Sequence, residues 1–566
     1  MNYWKLGCRW GAKKSGFPLF LDILQKNKIV ISWEDKDYGI NTTILLTDGH
    51  TAIAYAITIS NAKTLDEMPH LKKDFEDKKI SMEYGLRIFD AEIHLIPKDL
   101  QFQYSLVQGI CEIQQRDIID KLAQIIHYTN SMEQLQSKVN VLKYKKQIIL
   151  QGPPGTGKTR SAKNIALEML GLYDVNELQD NEQFKLIQFH PSYTYEDFVR
   201  GIVAKPNPDG DGVLYDAENK TLGLFANEAL KNYQSSKKIP ELISKEIWVE
   251  QQYQKFKDDL ELQLEKGIAV IIKEGTVPKI VAIEESATRV NRYDNLNDKV
   301  LLRDADIIYG YVGMYLTENV IKVKENNNLS KSARSGMYYL YQNLIEKFKD
   351  FLDENKILYI PQNNIQTQKL KNYVLIIDEI NRANLSSVLG ELIYALEYRG
   401  ENVESMYKIG DSNQLILPPN LYIIGTMNTA DRSVGHIDYA IRRRFAFVDV
   451  LPKNLESELN DDFKDDVFAK VASLFIENYD SSIDYSDDNV VMKKSEYMTA
   501  DFDPKDVWLG HSYFIQHYEK NEIGEDIKEK PVDFTFRIRY EIKPILEEYI
   551  KDGILKESAR SIINSL

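Results

Sequence analysis

The chain has 566 residues, of which 43% are hydrophobic and 28% charged, with only two cysteines, Cys8 and Cys111; this suits a globular protein of roughly three or four domains and excludes collagen, fibrous coiled coils, a disulfide framework and a Cys-rich zinc module. The net charge is −15, from 71 basic and 86 acidic residues, so an evenly spread charge would repel DNA and any nucleic-acid contact must come from a local site. No apolar run approaches the roughly 18 residues that span a bilayer, and the first residues carry no signal-peptide stretch, so a cytoplasmic protein with no membrane partner is expected.

Residues 1–115 are expected to form a small β-rich domain. Ile29–Trp33, Thr43–Leu46 and Ala52–Ile57 are short runs rich in β-branched and aromatic residues, and Asp48-Gly49 marks a hairpin between the last two. Arg87–Phe89 and Ile93–Ile96 read as two further strands, and residues 116–145 as a helical connector. From 146 to 452 apolar strands alternate with helices, which predicts an α/β domain with a parallel sheet covered on both faces. Its strands are placed at Ile148–Leu150, Leu186–Phe189, Val374–Ile377, Leu421–Ile424 and Phe445–Val448, with one helix through Ala162–Met169 and another over Ser386–Glu397. A stretch at about 231–368 interrupts the alternation and reads as an inserted α+β subdomain. Residues 453–566 are expected to be a mostly helical C-terminal lid.

The strongest chemical signal is Gly152-Pro153-Pro154-Gly155-Thr156-Gly157-Lys158-Thr159, followed by Arg160. It has the full spacing of a phosphate loop, after a strand and before a helix. Glycines there let backbone N–H groups converge on phosphate oxygens at a helix N-terminus. Lys158 would reach the β- and γ-phosphates, and Thr159 would hold Mg²⁺. The second signal is a buried strand ending in Asp378-Glu379, which places two carboxylates at the carboxyl edge of the sheet. Asp378 would help hold Mg²⁺, and Glu379 would orient and polarise the attacking water. The third is Ile423–Ser433, where the Asn428 amide would touch the γ-phosphate or that water. Arg442-Arg443-Arg444 precedes the last strand and can supply an arginine finger to a neighbouring subunit; of the three, Arg442 reads as the structural one.

Together these motifs resemble the AAA+ superfamily, and more narrowly the McrB family of GTP-hydrolysing subunits from McrBC-type modification-dependent restriction systems. The resemblance is carried by Gly152–Thr159, Asp378–Asn384, Met427–Ser433, Gln188–Phe198, Leu509–Phe514 and Arg539–Ile542. It covers roughly 135–230 and 370–566. It implies GTP in preference to ATP, with Mg²⁺, a homo-hexameric ring, and a separate McrC-like nuclease subunit. It also implies a sensor role for Asn428, trans-acting roles for Arg443 and Arg444, and a subunit junction organised by Asp431 and Arg432.

Trp4–Gly11 is similar to the opening of EVE/YTH-like domains, a PUA-related β-barrel class that grips a modified base flipped from the duplex. That chemistry needs aromatic walls and polar edge contacts. The candidate walls are Trp10, Trp33, Tyr38 and Tyr55, and Arg9 and Lys13 are candidate phosphate contacts. Residues 1–110 hold 14 basic and 14 acidic residues, so this domain opposes DNA less than the chain average does. The alternative is that Trp4, Trp10 and Trp33 build the core. For the whole chain the expected function is the GTPase motor and DNA-recognition subunit of an anti-phage restriction system with no intrinsic nuclease. Alternatives are an AAA+ ATPase that remodels protein or nucleoprotein complexes, and a nucleotide-switched binding protein, against which the intact Glu379 argues.

Overall fold

The computed structural model describes residues 2–9, 18–78, 80, 85–104, 109–206, 212–238, 240–293, 299–317, 320–326, 328–361, 369–409, 412–431, 437–487, 490–521 and 524–566. Trp10, Lys13, Arg432 and Ser433 lie outside the described residues. The chain divides into two compact units. One comprises Met1–Lys138, Pro153–Thr156 and Leu451–Leu566, and the other Val139–Gly152 and Gly157–Val450.

In the first unit, strands β1 (Tyr3–Gly7), β2 (Ile29–Trp33), β3 (Thr43–Asp48), β4 (Thr51–Thr58), β5 (Lys63–Thr64), β6 (Leu86–Leu95), β7 (Phe102–Gln103) and β8 (Ile110–Glu112) form one sheet. Its main path is β2-β6-β4-β3-β1-β8, with β5 on β6 and β7 on β4. The β1–β3 pairing is parallel, and the others are antiparallel. The hairpin at Asp48-Gly49 is present, with Gly49 at φ 60°. The two strands expected at 87–89 and 93–96 are one continuous strand, β6, pairing with β2 through its first half and β4 through its second. The intervening Asp90 does not break it, because Lys63 pairs with its carboxylate and its N–H donates to the Ser60 hydroxyl at 2.9 Å. One helix, Arg116–Lys145, spans the connector. The C-terminal stretch is less helical than expected. Its longest helical run is 535–551, with a π-helical turn at Ile538–Ile542, and a hairpin pairs Tyr518–Lys520 with Asp526–Pro531. An aromatic cluster packs there, with Phe468 against Phe463, Trp508 and Phe514.

In the second unit, β9 (Gln147–Gly152), β10 (Phe184–Gln188), β17 (Tyr373–Asp378), β20 (Leu421–Asn428) and β21 (Ala446–Asp449) form an all-parallel sheet in the order β10-β17-β20-β9-β21. β17 is buried at every position except its last, Asp378, as a strand covered on both faces must be. The chain leaves β9 through the helix Lys158–Leu170 and crosses to the far edge at β10. The strand order therefore reverses beside β9, and ligands in open α/β sheets bind at such a point, outside the carboxyl ends of the strands. Between β10 and β17 lie a hairpin, β11 (Arg200–Pro206) with β12 (Val213–Asn219), and a helix, Thr221–Lys237. A second hairpin, β18 (Val403–Ile409) with β19 (Ser412–Leu415), precedes β20. The single helix expected over 386–397 is two, Leu385–Leu389 and Leu392–Glu397, broken at Gly390. Gly390 stands at φ 51°, with the Tyr195 ring only 3.2 Å from where a Cβ would sit.

The inserted stretch has its own architecture. The helix Pro240–Glu265, an antiparallel sheet of β13 (Val270–Ile271), β14 (Lys279–Ile283), β15 (Ala287–Asn291) and β16 (Lys299–Arg303), and the helix Tyr338–Glu354 enclose a separate core. Tyr253, Phe256, Tyr341 and Phe348 lie in it. The parallel sheet survives the interruption because a buried amide joins the insertion's flanks. Asn232 Nδ2 donates to Lys369 O at 3.2 Å, and its Oδ1 accepts from Lys371 N–H at 2.8 Å. Asn420, just before β20, donates to Lys371 O and Ala229 O, both at 3.0 Å. These contacts sit at the amino ends of β17 and β20, opposite the ligand edge. Asn232→Ala removes the side-chain partner of two part-buried backbone groups, Lys369 O and Lys371 N–H, and is expected to cost about 1–3 kcal/mol, measured as a lower denaturant midpoint at unchanged slope.

Candidate functional site

The carboxyl ends of β9, β17 and β20 carry the three sequence signals into one place. Gly152 ends β9 and stands opposite Asn428 at the end of β20 in the strand register. The Thr429 N–H donates to Gly152 O at 3.1 Å. Gly152, Gly155 and Gly157 have φ values of 157°, 80° and 75°, and the last two are left-handed conformations that a Cβ would strain. The helix Lys158–Leu170 begins directly after Gly157. Its leading N–H groups lack helical acceptors and face the end at which an anion is stabilised.

The loop's outer turn, Pro153–Thr156, is held by the C-terminal stretch. Gly510 N–H donates to Pro154 O at 2.9 Å and Ser512 N–H donates to Gly155 O at 3.0 Å. A Cβ on Gly510 would fall 2.1 Å from the Gly155 carbonyl carbon, and one on Gly155 would fall 2.6 Å from the Tyr513 ring. This gives Leu509–Phe514 a physical role as a backbone brace for the phosphate loop, which the sequence signals alone did not assign. Thr156 is buried, and its hydroxyl donates to Pro153 O at 3.1 Å. Arg160 is exposed on the first turn of the helix.

Lys158 is buried, and its ammonium donates to Gly152 O at 2.9 Å. Burial pulls its pKa down to about 8, against the opposing pull of Glu379 and then Asp378. The Thr159 hydroxyl donates to Asp378 Oδ1 at 2.8 Å. These two oxygens are the hard donors that Mg²⁺ takes when it is also held by substrate phosphates, so the residues present fit a Mg²⁺–nucleoside triphosphate. Thr159 and Asp378 would hold the metal, and Lys158 with the loop N–H groups would hold the phosphates.

Glu379 lies immediately after β17 in the left-handed region, with φ 52° and ψ 46°, a conformation costly for a residue with a side chain. Its N–H donates to the Thr426 hydroxyl at 3.1 Å. Arg382 Nε donates to its carboxylate at 3.2 Å, and Arg382 also stands 3.9 Å from Asp431. Asn381, buried nearby, donates to Asn428 O at 3.3 Å. Asn428 Oδ1 itself accepts from Ala430 N–H at 3.3 Å. Thr426, Asn381 and Arg382 were not singled out as site residues from sequence. The signal was their position within the quoted motifs, two before Asn428 and two and three after Glu379.

The arginine cluster separates differently from the expectation. Arg444 is the structural one. It is 8% exposed, donates to Ala440 O at 2.8 Å, and pairs with Glu397 at 3.2 Å, so its guanidinium is engaged within its own chain. Arg442 is exposed and lies over the Phe447 ring at 5.3 Å. Arg443 is exposed with no side-chain partner among the described residues.

The aromatic walls are also corrected. Tyr38 and Tyr55 are buried in the N-terminal domain and present no face to a base. The Tyr38 hydroxyl donates to Ile31 O at 3.0 Å, and its ring packs on Phe89 and Trp4. The Tyr55 hydroxyl meets the Thr129 hydroxyl at 2.6 Å, and its ring stacks on His94. Alternation along β4 points Tyr55 to the sheet face opposite Ala54 and Ala56, where the Arg116–Lys145 helix covers it. Trp33 is half-buried against the domain core. Arg9 is ion-paired with Asp48, Nη2 to Oδ2 at 3.1 Å.

The depressed Lys158 pKa has a measurable consequence. A bound triphosphate favours the charged ammonium and raises the pKa, so binding takes up a proton at pH values above about 8. Nucleotide affinity is therefore expected to be flat in this group below pH 7 and to fall as pH rises beyond 8, by up to about tenfold per unit. Isothermal titration in buffers of different ionisation enthalpy checks this; an absence of proton uptake between pH 8 and 9 contradicts it.

The sequence matches the family described as AAA domain (dynein-related subfamily) over residues 313–445. That span contains β17, β20 and the arginine cluster, while the phosphate loop precedes it and joins it only through the fold. The chain is 33% identical over 228 residues to the type IV methyl-directed restriction enzyme EcoKMcrB subunit of Escherichia coli (strain K12), covering 39% of this chain and 46% of that protein. It is 40% identical over 90 residues to the type II restriction enzyme BsuMI component YdiS of Bacillus subtilis (strain 168), covering 13% of this chain and 26% of that protein. The matches thus span less than half the length of these curated relatives. The chain contains an AAA domain, a nucleoside-triphosphatase module, and over part of its length it is similar to subunits of restriction enzymes.

Proposed function

We propose that the chain is the GTP-hydrolysing motor and DNA-recognition subunit of a modification-dependent restriction system, working as a homo-hexamer that drives a separate McrC-like nuclease subunit. The observation that carries the reading is the convergence of Lys158, Thr159, Asp378, Glu379 and Asn428 on one sheet edge, in a chain whose relatives are restriction-enzyme subunits. Bound Mg²⁺ would neutralise phosphate charge. Lys158 orients the β- and γ-phosphates, Glu379 polarises the attacking water, and Asn428 positions that water or the γ-phosphate. Glu379 accepts from Arg382 through Oε2 here, and a carboxylate has further acceptor sites with which to hold the water. Arg443, exposed and unpaired among the described residues, supplies the positive charge to the neighbouring subunit's site. The preference for GTP follows from the McrB resemblance.

Glu379→Gln is expected to keep nucleotide binding and assembly while lowering turnover by about 10²–10⁴-fold, since the amide cannot accept a proton from water. Side-by-side GTP and ATP hydrolysis, with and without modified DNA, tests the assignment; an unchanged rate in this variant refutes it. Mixing Arg443→Ala subunits with Glu379→Gln subunits should restore hydrolysis that neither homogeneous ring sustains. Failure to complement, with assembly intact, removes Arg443 from the trans role.

The N-terminal domain is assigned the modified base, in an EVE/YTH-like manner. With Tyr38 and Tyr55 in the core, Trp33 remains as the described candidate wall, joined by Trp10 outside the described residues. Trp33→Ala should weaken binding to modified duplexes by about 1–3 kcal/mol, the worth of one stacked base, in titrations of the full chain. Equal binding of modified and plain DNA by the unaltered protein would make a protein-gripping domain the better account.

A further inference from the structure

Thr426 bonds to both acidic residues of the site through one hydroxyl. It lies on β20, one residue beyond the Gly425–Ile377 register pair, and is 2% exposed. Its hydroxyl donates to Asp378 Oδ1 at 2.6 Å and accepts from the Glu379 N–H at 3.1 Å. A hydroxyl has one proton to give and lone pairs to accept with, so the two bonds occur together and fix its orientation. On the other side of Asp378, the Thr159 hydroxyl donates to the same oxygen at 2.8 Å. Asp378 Oδ1 is thereby held between hydroxyls from two different elements, one inside the phosphate loop and one outside it.

The two roles differ once a metal arrives. Thr159 belongs to the metal-holding pair and has to redirect its oxygen to Mg²⁺. Thr426 has no such alternative use, because it is buried behind the carboxylate. Its bond to Asp378 persists and keeps the carboxylate plane in place. Its second bond pins the backbone of Glu379, which sits in the left-handed region and has no glycine to relieve it. Without the hydroxyl, the Glu379 N–H at the strand end would lose its acceptor, and the peptide would be free to leave this conformation.

We infer that Thr426 is a positioning residue for Mg²⁺–nucleotide hydrolysis, fixing the metal-holding carboxylate and the water-polarising glutamate with one hydroxyl. The inference rests on the hydrolytic reading of the site. Groups that orient a metal-holding carboxylate typically change metal affinity or activity by about 10–100-fold. Thr426→Val keeps the shape and removes the hydroxyl, Thr426→Ser keeps the hydroxyl and removes the methyl, and Thr426→Ala removes both.

The experiment measures, on the full chain, binding of a fluorescent GTP derivative as a function of Mg²⁺ concentration, together with steady-state hydrolysis. In Thr426→Val the half-saturating Mg²⁺ concentration should rise about tenfold or more and kcat should fall at least as much, with KM at saturating Mg²⁺ within about threefold. Thr426→Ser should stay within about threefold of the unaltered protein in both. A Val variant with unchanged Mg²⁺ dependence and kcat overturns the inference, as does a Ser variant as impaired as Val, which would assign the effect to the methyl group. If Val does not unfold cooperatively, the Ser–Ala pair differs by the hydroxyl alone and carries the same comparison; loss of the fold in Val and Ala together assigns the hydroxyl to folding and also overturns it. Should the unaltered protein bind Mg²⁺–nucleotide but hydrolyse neither GTP nor ATP, the hydrolytic reading fails, while the Mg²⁺ shift still decides whether Thr426 holds Asp378. Absence of any Mg²⁺-dependent binding overturns both.

Discussion

Asp378 Oδ1 accepts hydrogen bonds from two threonine hydroxyls, Thr159 at 2.8 Å and Thr426 at 2.6 Å, and the rest of the nucleotide site depends on that convergence. A carboxylate at the mouth of a buried strand must be satisfied or solvated. Here it is satisfied by groups delivered from β20 and from the helix after the phosphate loop. Those deliveries require the strand order β17-β20-β9, which places the third, fourth and first strands of the sheet side by side. Lys158, buried and donating to Gly152 O, completes the arrangement from the same side. The depressed basicity of Lys158 records the cost of holding a cation there before an anion is bound.

Close approach of backbone to backbone is the second constraint. Gly510 packs on the Gly155 peptide, and Gly155 packs under Tyr513. Gly425 on β20 faces Ile380, whose methyl would stand 2.8 Å from an added Cβ. In each case the missing side chain lets a second element reach the phosphate loop or the turn carrying Glu379. All three glycines serve contact, and Gly155 alone of them also needs a left-handed backbone, so a search for Gly-rich loops would recognise Gly155 and pass over Gly510 and Gly425.

The inserted subdomain illustrates how a parallel sheet tolerates more than a hundred residues between two of its neighbouring strands. The insertion buries its own aromatic core, so it asks little of the host sheet. Asn232 and Asn420 gather its flanks at the edge away from the nucleotide site. The cost of closing a long loop grows only slowly with its length, and a few buried amide hydrogen bonds are enough to hold the register.

Local chemistry made much of this legible in the sequence. The phosphate-loop spacing, the apolar strand ending in Asp378-Glu379 and the Asp48-Gly49 turn each follow from short-range rules. Strand and helix signals there have a period and a punctuation that neighbours do not override. Other features depend on contacts between distant segments and have no local signature. Whether Asp90 breaks a strand depends on Lys63, and whether Leu385–Glu397 is one helix or two depends on Tyr195 meeting Gly390. Which arginine of Arg442–Arg444 projects outward depends on Glu397 and the Ala440 carbonyl. Tyr55 could have been a wall or a core residue from its composition alone, and the long helix beside β4 made it core. The sequence alone determined the chemistry available at the carboxyl edge of the sheet. Only the tertiary structure decided which side chains reach it, because burial and hydrogen-bond partners are properties of packed elements and not of neighbouring residues.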